Sequence, residues 1–289
     1  MADVTPPEAQ SAADYDDRTT AAVKSVLIEI GQILGSFRGK FAVIGGAVPW
    51  LLLDNEEMPH VGSIDVDLSL NAEALGDGEY AALVDSLKRH GYEQRATLRR
   101  FQLMRRVPAW DSGQPIDIIV DFLMPRDADI IKNTPALVAG FAVQRADGAD
   151  LALRFYQLVA VEGPMPDGGI NRVEIAVCSI PALLAMKGHA LRGRLKQKDA
   201  YDVYYSIRNY PGGIDKLAEQ SRPVLKEESG ERGYRVIAEK FETVESFGPA
   251  CVRRFVQETH ILDGRTPEQW QQDAFGQVDA WLRAIGLRS

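Results

Sequence analysis

The sequence has few cysteines, fewer basic than acidic residues and no long apolar runs. Each of these shortages argues against a particular class of protein or site. Its 289 residues include two cysteines, and 33 Lys and Arg residues stand against 41 Asp and Glu residues, for a formal net charge of −8. Because Cys178 and Cys251 lack the spacing of a zinc site, we expect structural thiols rather than a disulfide or a metal centre. The negative charge argues against a protein that coats nucleic acid nonspecifically, since that binding is mostly phosphate neutralisation.

No segment approaches the roughly 18 to 20 uninterrupted apolar residues that cross a bilayer. The N-terminus also lacks the basic-then-apolar order of a signal peptide. We therefore expect a cytoplasmic protein without a membrane partner. With 45% hydrophobic and 26% charged residues, the composition is that of a globular protein with one large or two modest domains.

Residues 41–70 are the stretch around which the rest of the sequence is organised. The apolar residues 41–44 predict a short buried strand, Gly45 and Gly46 predict a turn, and the apolar residues 48–53 predict a short helix. A glycine turn at a helix N-terminus offers backbone N–H groups and the positive end of the helix dipole, which suits a phosphate chain. We therefore expect Gly45 and Gly46 to bind the phosphates of a nucleotide.

Two aspartates follow on the next predicted strand, at 64–68. Alternation at period two places Asp65 and Asp67 on one face of that strand and the apolar residues on the other. Their Cα atoms then lie roughly 7 Å apart, close enough for the carboxylate oxygens to share one or two Mg²⁺ ions. Together with the glycine turn, the pattern describes a site for a nucleoside triphosphate carried on Mg²⁺.

A third carboxylate is available on the strongly apolar strand predicted at 115–123. Asp117 and Asp121 are four residues apart, so in an extended strand both side chains face the same way as Ile119. Either carboxylate can therefore complete a two-metal site with Asp65 and Asp67.

The glycine pair after one strand, followed by Asp65-x-Asp67 on the next, resembles the signature of the nucleotidyltransferase superfamily with the DNA polymerase beta-like fold. The AbiEii/AbiGii toxin-type branch is the closest match. The resemblance implies an α+β fold, in which a mixed β-sheet with flanking helices precedes a C-terminal helical domain. It also implies that Asp65 and Asp67 are catalytic metal ligands and that the third carboxylate lies on a later apolar strand. Asp121 fits that context better than Asp117.

A second motif lies in residues 181–209, where charged residues recur at helical spacing. At 100° per residue, Lys187, Arg194 and Lys198 fall within about 40° of one another, and Asp202 lies about 40° beyond Lys198. Two glycines weaken the helix, so two helices meeting near Lys198 are an alternative to one. A solvated basic face is likewise an alternative to a binding surface.

This segment resembles the second signature of the toxin branch, a lysine followed by an arginine and then KDxxD. The matching positions are Lys187, Arg194, Lys198, Asp199 and Asp202. The resemblance implies that these residues bind the nucleotide and that the cations offset charge on the leaving pyrophosphate. For Asp202, the alternative is that it anchors Lys198 or Arg194.

The chain departs from the branch just before its DxD sequence, where the branch usually has R-x-T. Val61 and Ser63 occupy those two places here. Ser63 retains a hydroxyl, so we expect it to belong to the nucleotide site. Valine cannot replace a guanidinium group, and the candidates for that role are His60 or an arginine among residues 95–106.

The resemblance implies a two-metal, Mg²⁺-dependent nucleotidyltransferase that moves an NMP from an NTP to an acceptor hydroxyl. Its implied partners are the NTP, tRNA or another acceptor, and a cognate antitoxin protein of a toxin-antitoxin pair. Two alternatives stay open. The net charge of −8 suits a small-molecule enzyme of the antibiotic-modifying kind with a cationic substrate, whereas Val61 suits a noncatalytic member that binds a nucleotide or a partner.

Composition and periodicity predict three regions along the chain. Residues 1–18 are expected to form a disordered tail, 19–178 the catalytic domain, and 179–289 a helical domain that carries the lysine and aspartate motif. Within the catalytic domain we expect a first helix capped by Thr19 or Thr20 and a second helix at 72–90. Strands are expected at 92–98, 101–107 and 139–145, with further strand-like segments and a hairpin over 151–178.

Overall fold

The structure is a computed structural model that describes residues 15–35, 39–53, 55–71, 74–75, 79–109, 113–126, 144–194, 196–259, 261 and 264–289. The chain divides into two compact units. The sheet unit contains Tyr15–Ala47 and Gly62–Cys178, and the helical unit contains Val48–Val61 and Ser179–Ser289. Most of the predicted N-terminal tail, residues 1–14, lies outside the described residues.

A mixed β-sheet with helices forms the sheet unit. Its strands are β1 (Phe41–Ile44), β2 (Asp65–Leu70), β3 (Tyr92–Glu93), β4 (Gln102–Val107), β5 (Ile116–Pro125), β6 (Gln144–Ala146), β7 (Tyr156–Pro164) and β8 (Ile170–Cys178). Its helices are α1 (Asp17–Ile33), α3 (Glu79–Arg89) and α4 (Ala149–Arg154). Ala47, the first residue of α2 (Ala47–Leu52), also belongs to this unit, and the rest of α2 belongs to the helical unit.

The strands pair in the order β3-β4-β5-β2-β1-β8-β7, with β6 added beside β5. Neighbours run parallel in β1–β8, β2–β5 and β5–β6, and antiparallel in β1–β2, β3–β4, β4–β5 and β7–β8. The predicted α+β fold, a mixed sheet followed by a helical region, is confirmed. The central strands β5 and β2 each have one buried face and one half-exposed face.

The first helix begins earlier than predicted. Asp16 caps α1, because its Oδ1 accepts a hydrogen bond of 2.6 Å from the backbone N–H of Thr19, the third residue of the helix. The expectation that Thr19 or Thr20 caps this helix is therefore wrong. An aspartate three residues before an N–H group is an equally good cap, and the two threonines lie inside the first turns.

A buried ion pair ties α1 to the sheet. Arg105 on β4 donates from Nε and Nη2 to the two carboxylate oxygens of Glu29, each at 2.9 Å, and both side chains are almost fully buried. Because removing Arg105 would leave the Glu29 carboxylate buried without its partner, this bidentate pair fixes the helix against the sheet. One of the arginines among residues 95–106 is thus a structural residue.

Several predicted elements differ in detail from the structure. Residues 149–154 form α4 rather than a strand, because a short run of alanine and leucine suits either state and has good helix propensity. The hairpin within 151–178 is present as β7 and β8. Of the strand expected at 92–98, Tyr92–Glu93 is extended. The segment 139–143 lies outside the described residues, and β6 follows it.

The helical unit consists of α5 (Ile180–Gly193), α6 (Gln197–Arg208), α7 (Gly213–Leu225), α8 (Glu228–Lys240), α9 (Phe247–Glu258) and α10 (Pro267–Ala284), in addition to most of α2. Ser179 caps α5 through its hydroxyl, as its sequence context predicts. The lysine and aspartate motif spans two helices, since the chain becomes extended at Arg194 and helical again at Gln197. Large aromatic side chains, including Tyr201, Trp270 and Trp281, fill the core.

Both cysteines are buried thiols, which matches the structural role expected for them. Burial raises the pKa of the Cys251 thiol to about 11, so this thiol stays protonated and unreactive near neutral pH. Across the part of the chain that the structure describes, none of the helices is both long and apolar enough to cross a membrane.

Candidate functional site

The two aspartates of β2 lie on the half-exposed face of the central sheet. Asp65 and Asp67 are partly accessible, whereas Val66 and Leu68, which project to the opposite face, are completely buried. The alternation places carboxylates at the surface and apolar side chains in the core, as the sequence predicts. Both charged groups therefore keep contact with solvent and with any ligand that binds this face.

Strand register brings Asp121 beside Asp67. In the parallel pairing of β2 with β5, Asp67 is the direct partner of Asp121, and Asp65 is the partner of Ile119. Partners on neighbouring strands are about 4.8 Å apart and project to the same face of the sheet. Asp65, Asp67 and Asp121 thus lie on one face, across two adjacent strands, and we call them the carboxylate face.

Asp117 is separated from that group by its own ion pairs. Arg106 donates from Nε and Nη2 to the two oxygens of Asp117 at 2.8 and 3.0 Å, and Arg95 lies 3.6 Å away. The hydrogen bonds from Arg106 lower the pKa of the Asp117 carboxyl. Along β5, Asp117 also lies roughly 13 Å from Asp121, at about 3.3 Å per residue. Geometry therefore favours Asp121 as the third carboxylate.

Gly45 lets the turn after β1 approach Asp67. Its φ of +76° belongs to the left-handed region, and a Cβ at this position would overlap the Oδ2 atom of Asp67. Ile44, the residue before it, is the register partner of Asp67 across β1 and β2. The glycine turn of Gly45 and Gly46 is thus in direct contact with the carboxylate face, and only a residue without a side chain fits at Gly45.

Two uncharged side chains hold the carboxylates in place. Ser63 is buried and its hydroxyl donates to Asp65 Oδ1 at 3.0 Å. On β4, Gln102 donates from Nε2 to Asp121 Oδ1 at 2.8 Å, and its Oε1 accepts from the backbone N–H of Arg99 at 3.0 Å. The sequence prediction included Ser63 and missed Gln102. Gln102 could have been found only from the pairing of β4 with β5, in which it lies opposite Asp121. The sequence does not reveal that register.

The second predicted group of residues lies in the helical unit and forms a compact ion cluster. Lys187 Nζ lies 2.7 Å from both Asp199 Oδ1 and Asp202 Oδ2, and Lys198 Nζ lies 3.0 Å from Asp202 Oδ1. Arg194 donates to both oxygens of Asp199 at 2.7 and 3.1 Å. Four of these side chains are buried, and the guanidinium of Arg194 is half-exposed.

His60 completes this ion cluster as a neutral group. Its Nε2 lies 3.0 Å from Asp202 Oδ1, and its ring packs against Tyr201 and Tyr205. Burial, with the nearby charges of Lys198 and Lys187, lowers the pKa of His60 to about 4 despite the hydrogen bond to Asp202. At neutral pH the imidazole therefore donates a hydrogen bond and carries no charge.

Burial and the opposite charges act against each other in the cluster. Burial acts to raise the pKa of the Asp199 carboxyl, but Lys187 and Arg194 together have the larger effect and lower that pKa to about 2. Burial opposes the charge on Lys187, yet Asp199 and Asp202 raise its pKa above the ordinary value. For Lys198 burial prevails, and its pKa is lowered. The cluster is consequently held together by the attraction between its opposite charges. Removing one member would leave another buried charge without its partner.

No family model matches this chain. No curated protein matches it either. Among solved structures, the crystal structure of JHP933 from Helicobacter pylori resembles it with a TM-score of 0.45 and 11% sequence identity, over 95% of this chain and 93% of that one. A likeness at this level says nothing about the function of this chain.

The carboxylate face suits a hard cation only in part. Among the described residues, no group of three or more His, Cys, Asp and Glu side chains is gathered tightly enough to hold a metal unaided. Mg²⁺ rarely needs such a cage, since it keeps several waters and binds through one or two carboxylates together with the phosphates of its substrate. Asp67 and Asp121, with Asp65 on the same strand as Asp67, supply oxygen ligands of that kind.

Proposed function

We propose that this chain is an Mg²⁺-dependent nucleotidyltransferase that moves an NMP from an NTP to an acceptor hydroxyl. One observation carries the proposal: the register of β2 and β5 sets Asp121 directly beside Asp67, on the same face as Asp65. Three carboxylates lie on two adjacent strands, next to a glycine turn. Together, the carboxylates and the turn provide what phosphoryl-group chemistry needs, namely metal ligands, a base and N–H groups that donate hydrogen bonds to phosphate oxygens.

Each carboxylate has a separate role in this proposal. Asp65 and Asp67 would hold Mg²⁺, which would offset the negative charge of the triphosphate. Asp121 would orient the acceptor hydroxyl and accept its proton as the hydroxyl oxygen bonds to the α-phosphorus, while the bond between the α- and β-phosphates breaks and pyrophosphate leaves. Ser63 and Gln102 limit the rotation of Asp65 and Asp121, so the oxygens are positioned before the substrate binds.

The glycine turn would supply contacts to the phosphates, whereas the ion cluster of the helical unit is a separate group. Backbone N–H groups of Gly45 and Gly46 would donate to phosphate oxygens, since the turn lies directly against Asp67, one of the proposed Mg²⁺ ligands. For Lys187, Lys198, Asp199 and Asp202, nucleotide binding stays a prediction, because their charges already compensate one another. Arg194 is the member of the cluster best suited to a phosphate, since its side chain is 47% exposed.

For the acceptor we propose RNA, in particular tRNA, and a toxin-like role with a cognate antitoxin in the cytoplasm. Support for a polyanionic acceptor comes from the segment between β3 and β4, where Arg99 and Arg100 are exposed. Gln102 connects this segment to the carboxylate face, because it hydrogen-bonds to the backbone of Arg99 and to Asp121. Phosphates bound by these arginines would lie close to the proposed base.

The binding step can be tested by titrating each of the four NTPs into the purified protein by calorimetry, with and without Mg²⁺. We expect metal-dependent binding of at least one NTP, and a loss of about tenfold or more in affinity in Asp67→Asn, because a neutral amide is a poor Mg²⁺ ligand. Asp117→Asn is the matched control, since it changes an aspartate on the same face that already pairs with Arg106. Its affinity should stay within about twofold of the wild type.

The transfer step is tested separately with α-labelled NTP and total tRNA. Asp121→Asn should still bind the Mg²⁺-NTP complex but should lose label transfer, because the base is gone while the phosphate contacts remain. Transfer that survives Asp67→Asn, or that is lost equally in Asp117→Asn and Asp121→Asn, contradicts the assigned roles. Absence of any metal-dependent NTP binding contradicts the proposed function itself.

A further inference from the structure

A polar cavity of about 360 Å³ lies within the helical unit, formed by the ends of α6 and α10 and the segment after α2. Arg208, Arg265, Asn209, Gln277 and Trp270 line it, and Glu57 lies at its wall with an exposed side chain. Its volume falls in the range of small-molecule sites, which is roughly 300 to 1,000 Å³. None of these residues belongs to the carboxylate face or to the ion cluster.

Two guanidinium groups of the cavity share one carboxylate. Arg208 and Arg265 both donate from Nη1 to Asp273 Oδ2, the latter at 3.3 Å, and Asp273 also accepts from Tyr204. Each guanidinium has five N–H donors, and within the described residues the hydrogen bonds of both use Nη1 only. One positive charge is therefore left uncompensated by Asp273, together with several N–H donors at the cavity wall.

The arginines are held in place before any ligand binds. The guanidinium of Arg265 lies over the ring of Trp270, 5.1 Å from the ring centre, and Trp270 is buried. Arg208 projects from the last turn of α6 and is three-quarters buried. A rigid pair of planar donors costs little entropy on binding and matches the geometry of a phosphate group.

We propose that this cavity binds a small phosphate monoester, with the phosphate on Arg208 and Arg265. The cavity is much larger than inorganic phosphate, so it has room for an attached polar body. Gln277 donates from Nε2 to Asp273, and within the described residues its Oε1 accepts no hydrogen bond, so it can accept one from a hydroxyl group. A sugar or polyol phosphate can bind both groups, because its phosphate accepts hydrogen bonds from Arg208 and Arg265 while one of its hydroxyls donates to Gln277. The inference is independent of the proposed transferase activity and extends beyond it.

The test is calorimetric titration of the full chain with ribose 5-phosphate and glycerol 3-phosphate, and with ribose and glycerol as uncharged counterparts. EDTA is present throughout, and the titration is repeated in Asp67→Asn, so that no Mg²⁺-dependent site contributes. We expect both phosphates to bind with micromolar to low millimolar affinity, equally in the two proteins, and ribose and glycerol not to bind. No phosphate binding at millimolar concentration, or equal binding of the uncharged compounds, overturns the proposal.

Two pairs of variants locate the site. Arg265→Gln should weaken phosphate binding about tenfold or more, because it removes a charged hydrogen bond, whereas Arg235→Gln, an exposed arginine paired with Glu231 on α8, should not change it. Glu57→Gln should raise the affinity by about twofold to threefold, because it removes a negative charge at the wall, and a surface charge pair is worth a fraction of a kcal/mol. Glu56→Gln, its exposed neighbour outside the lining, should not.

Circular dichroism shows whether Arg265→Gln is folded. If that variant fails to fold, Glu57→Gln decides the matter, since an exposed side chain is changed without touching Asp273. Unchanged affinity in Glu57→Gln, or in a folded Arg265→Gln, places the phosphate elsewhere and overturns the assignment.

Discussion

At the scale of single residues, Gly45 determines how closely the turn after β1 approaches the carboxylate face. We predict that Gly45→Ala loses metal-dependent NTP binding, because the new Cβ would displace the carboxylate of Asp67. The positive φ should also cost about 1 to 2 kcal/mol of stability. Calorimetry with Mg²⁺ and NTP measures the first effect, and urea unfolding measures the second.

Gly169→Ala is the matched control for this substitution. Gly169 has a φ of +82°, close to that of Gly45, but a Cβ there meets no atom within 4 Å. It should lose similar stability and keep nucleotide binding. If Gly45→Ala binds the nucleotide as well as Gly169→Ala does, contact between the turn and Asp67 is irrelevant to the site.

The sequence alone predicted the position of some residues of the carboxylate face and not of others. Alternation along one strand placed Asp65 and Asp67 together, because side-chain direction in a strand is a local property. The resemblance favoured Asp121 over Asp117, but the position of Asp121 beside Asp67 and its contact with Gln102 depend on which strands are neighbours and in which register. Register is set by the whole sheet, so these assignments needed the structure.

At the scale of elements, the crossing of α5 and α8 depends on two glycines. A Cβ on Gly188 would overlap the carbonyl oxygen of Gly233, and a Cβ on Gly233 would overlap that of Ala185. We predict that Gly188→Ala destabilises the protein by about 1 to 3 kcal/mol, because the two backbones must separate. Urea unfolding followed by tryptophan fluorescence measures the change.

Gly193, in the last turn of the same helix, provides the control. A Cβ there meets nothing within 4 Å, so Gly193→Ala should be neutral or should stabilise by up to about 1 kcal/mol through helix propensity. Equal effects of the two substitutions would mean that propensity, rather than the close crossing, governs Gly188.

Gly188 also shows where prediction of elements from sequence stops. Periodicity predicted the helical domain, and the two glycines made two helices meeting near Lys198 an alternative to one, since these are local signals. From the sequence alone, Gly188 and Gly193 were both interpreted only as residues that weaken a helix. Which glycine marks a close approach depends on the partner helix, about 45 residues further along the chain, and no local pattern contains that information.

At the scale of the whole molecule, the two units place their charges differently. The sheet unit keeps Asp65, Asp67 and Asp121 on a half-exposed face. The helical unit buries its lysine and aspartate motif, and there the neutral His60 is essential to the balance, because a further positive charge beside Lys187 and Lys198 is unfavourable. The stability of the protein should therefore depend on pH through the helical unit.

The sign of this dependence follows from the pKa of His60, about 4 in the folded protein against 6.5 for the ordinary side chain. Above pH 6.5 both folded and unfolded states hold a neutral imidazole, so the stability is complete. As the pH falls towards 4, the unfolded state takes up a proton that the folded state refuses, and stability is lost. A difference of this size amounts to about 3 kcal/mol at most.

We predict that the free energy of unfolding falls by about 2 to 3 kcal/mol between pH 7.5 and 4.5 through His60. Urea titrations followed by tryptophan fluorescence measure it, since Trp270 and Trp281 are buried in the helical unit. In His60→Gln, whose amide can still donate to Asp202, that part of the loss should disappear, whereas His90→Gln, at an exposed histidine, should keep it. The lowered pKa of Asp199 acts below about pH 4, outside this window. An unchanged pH dependence in His60→Gln would mean that folding does not change the pKa of His60.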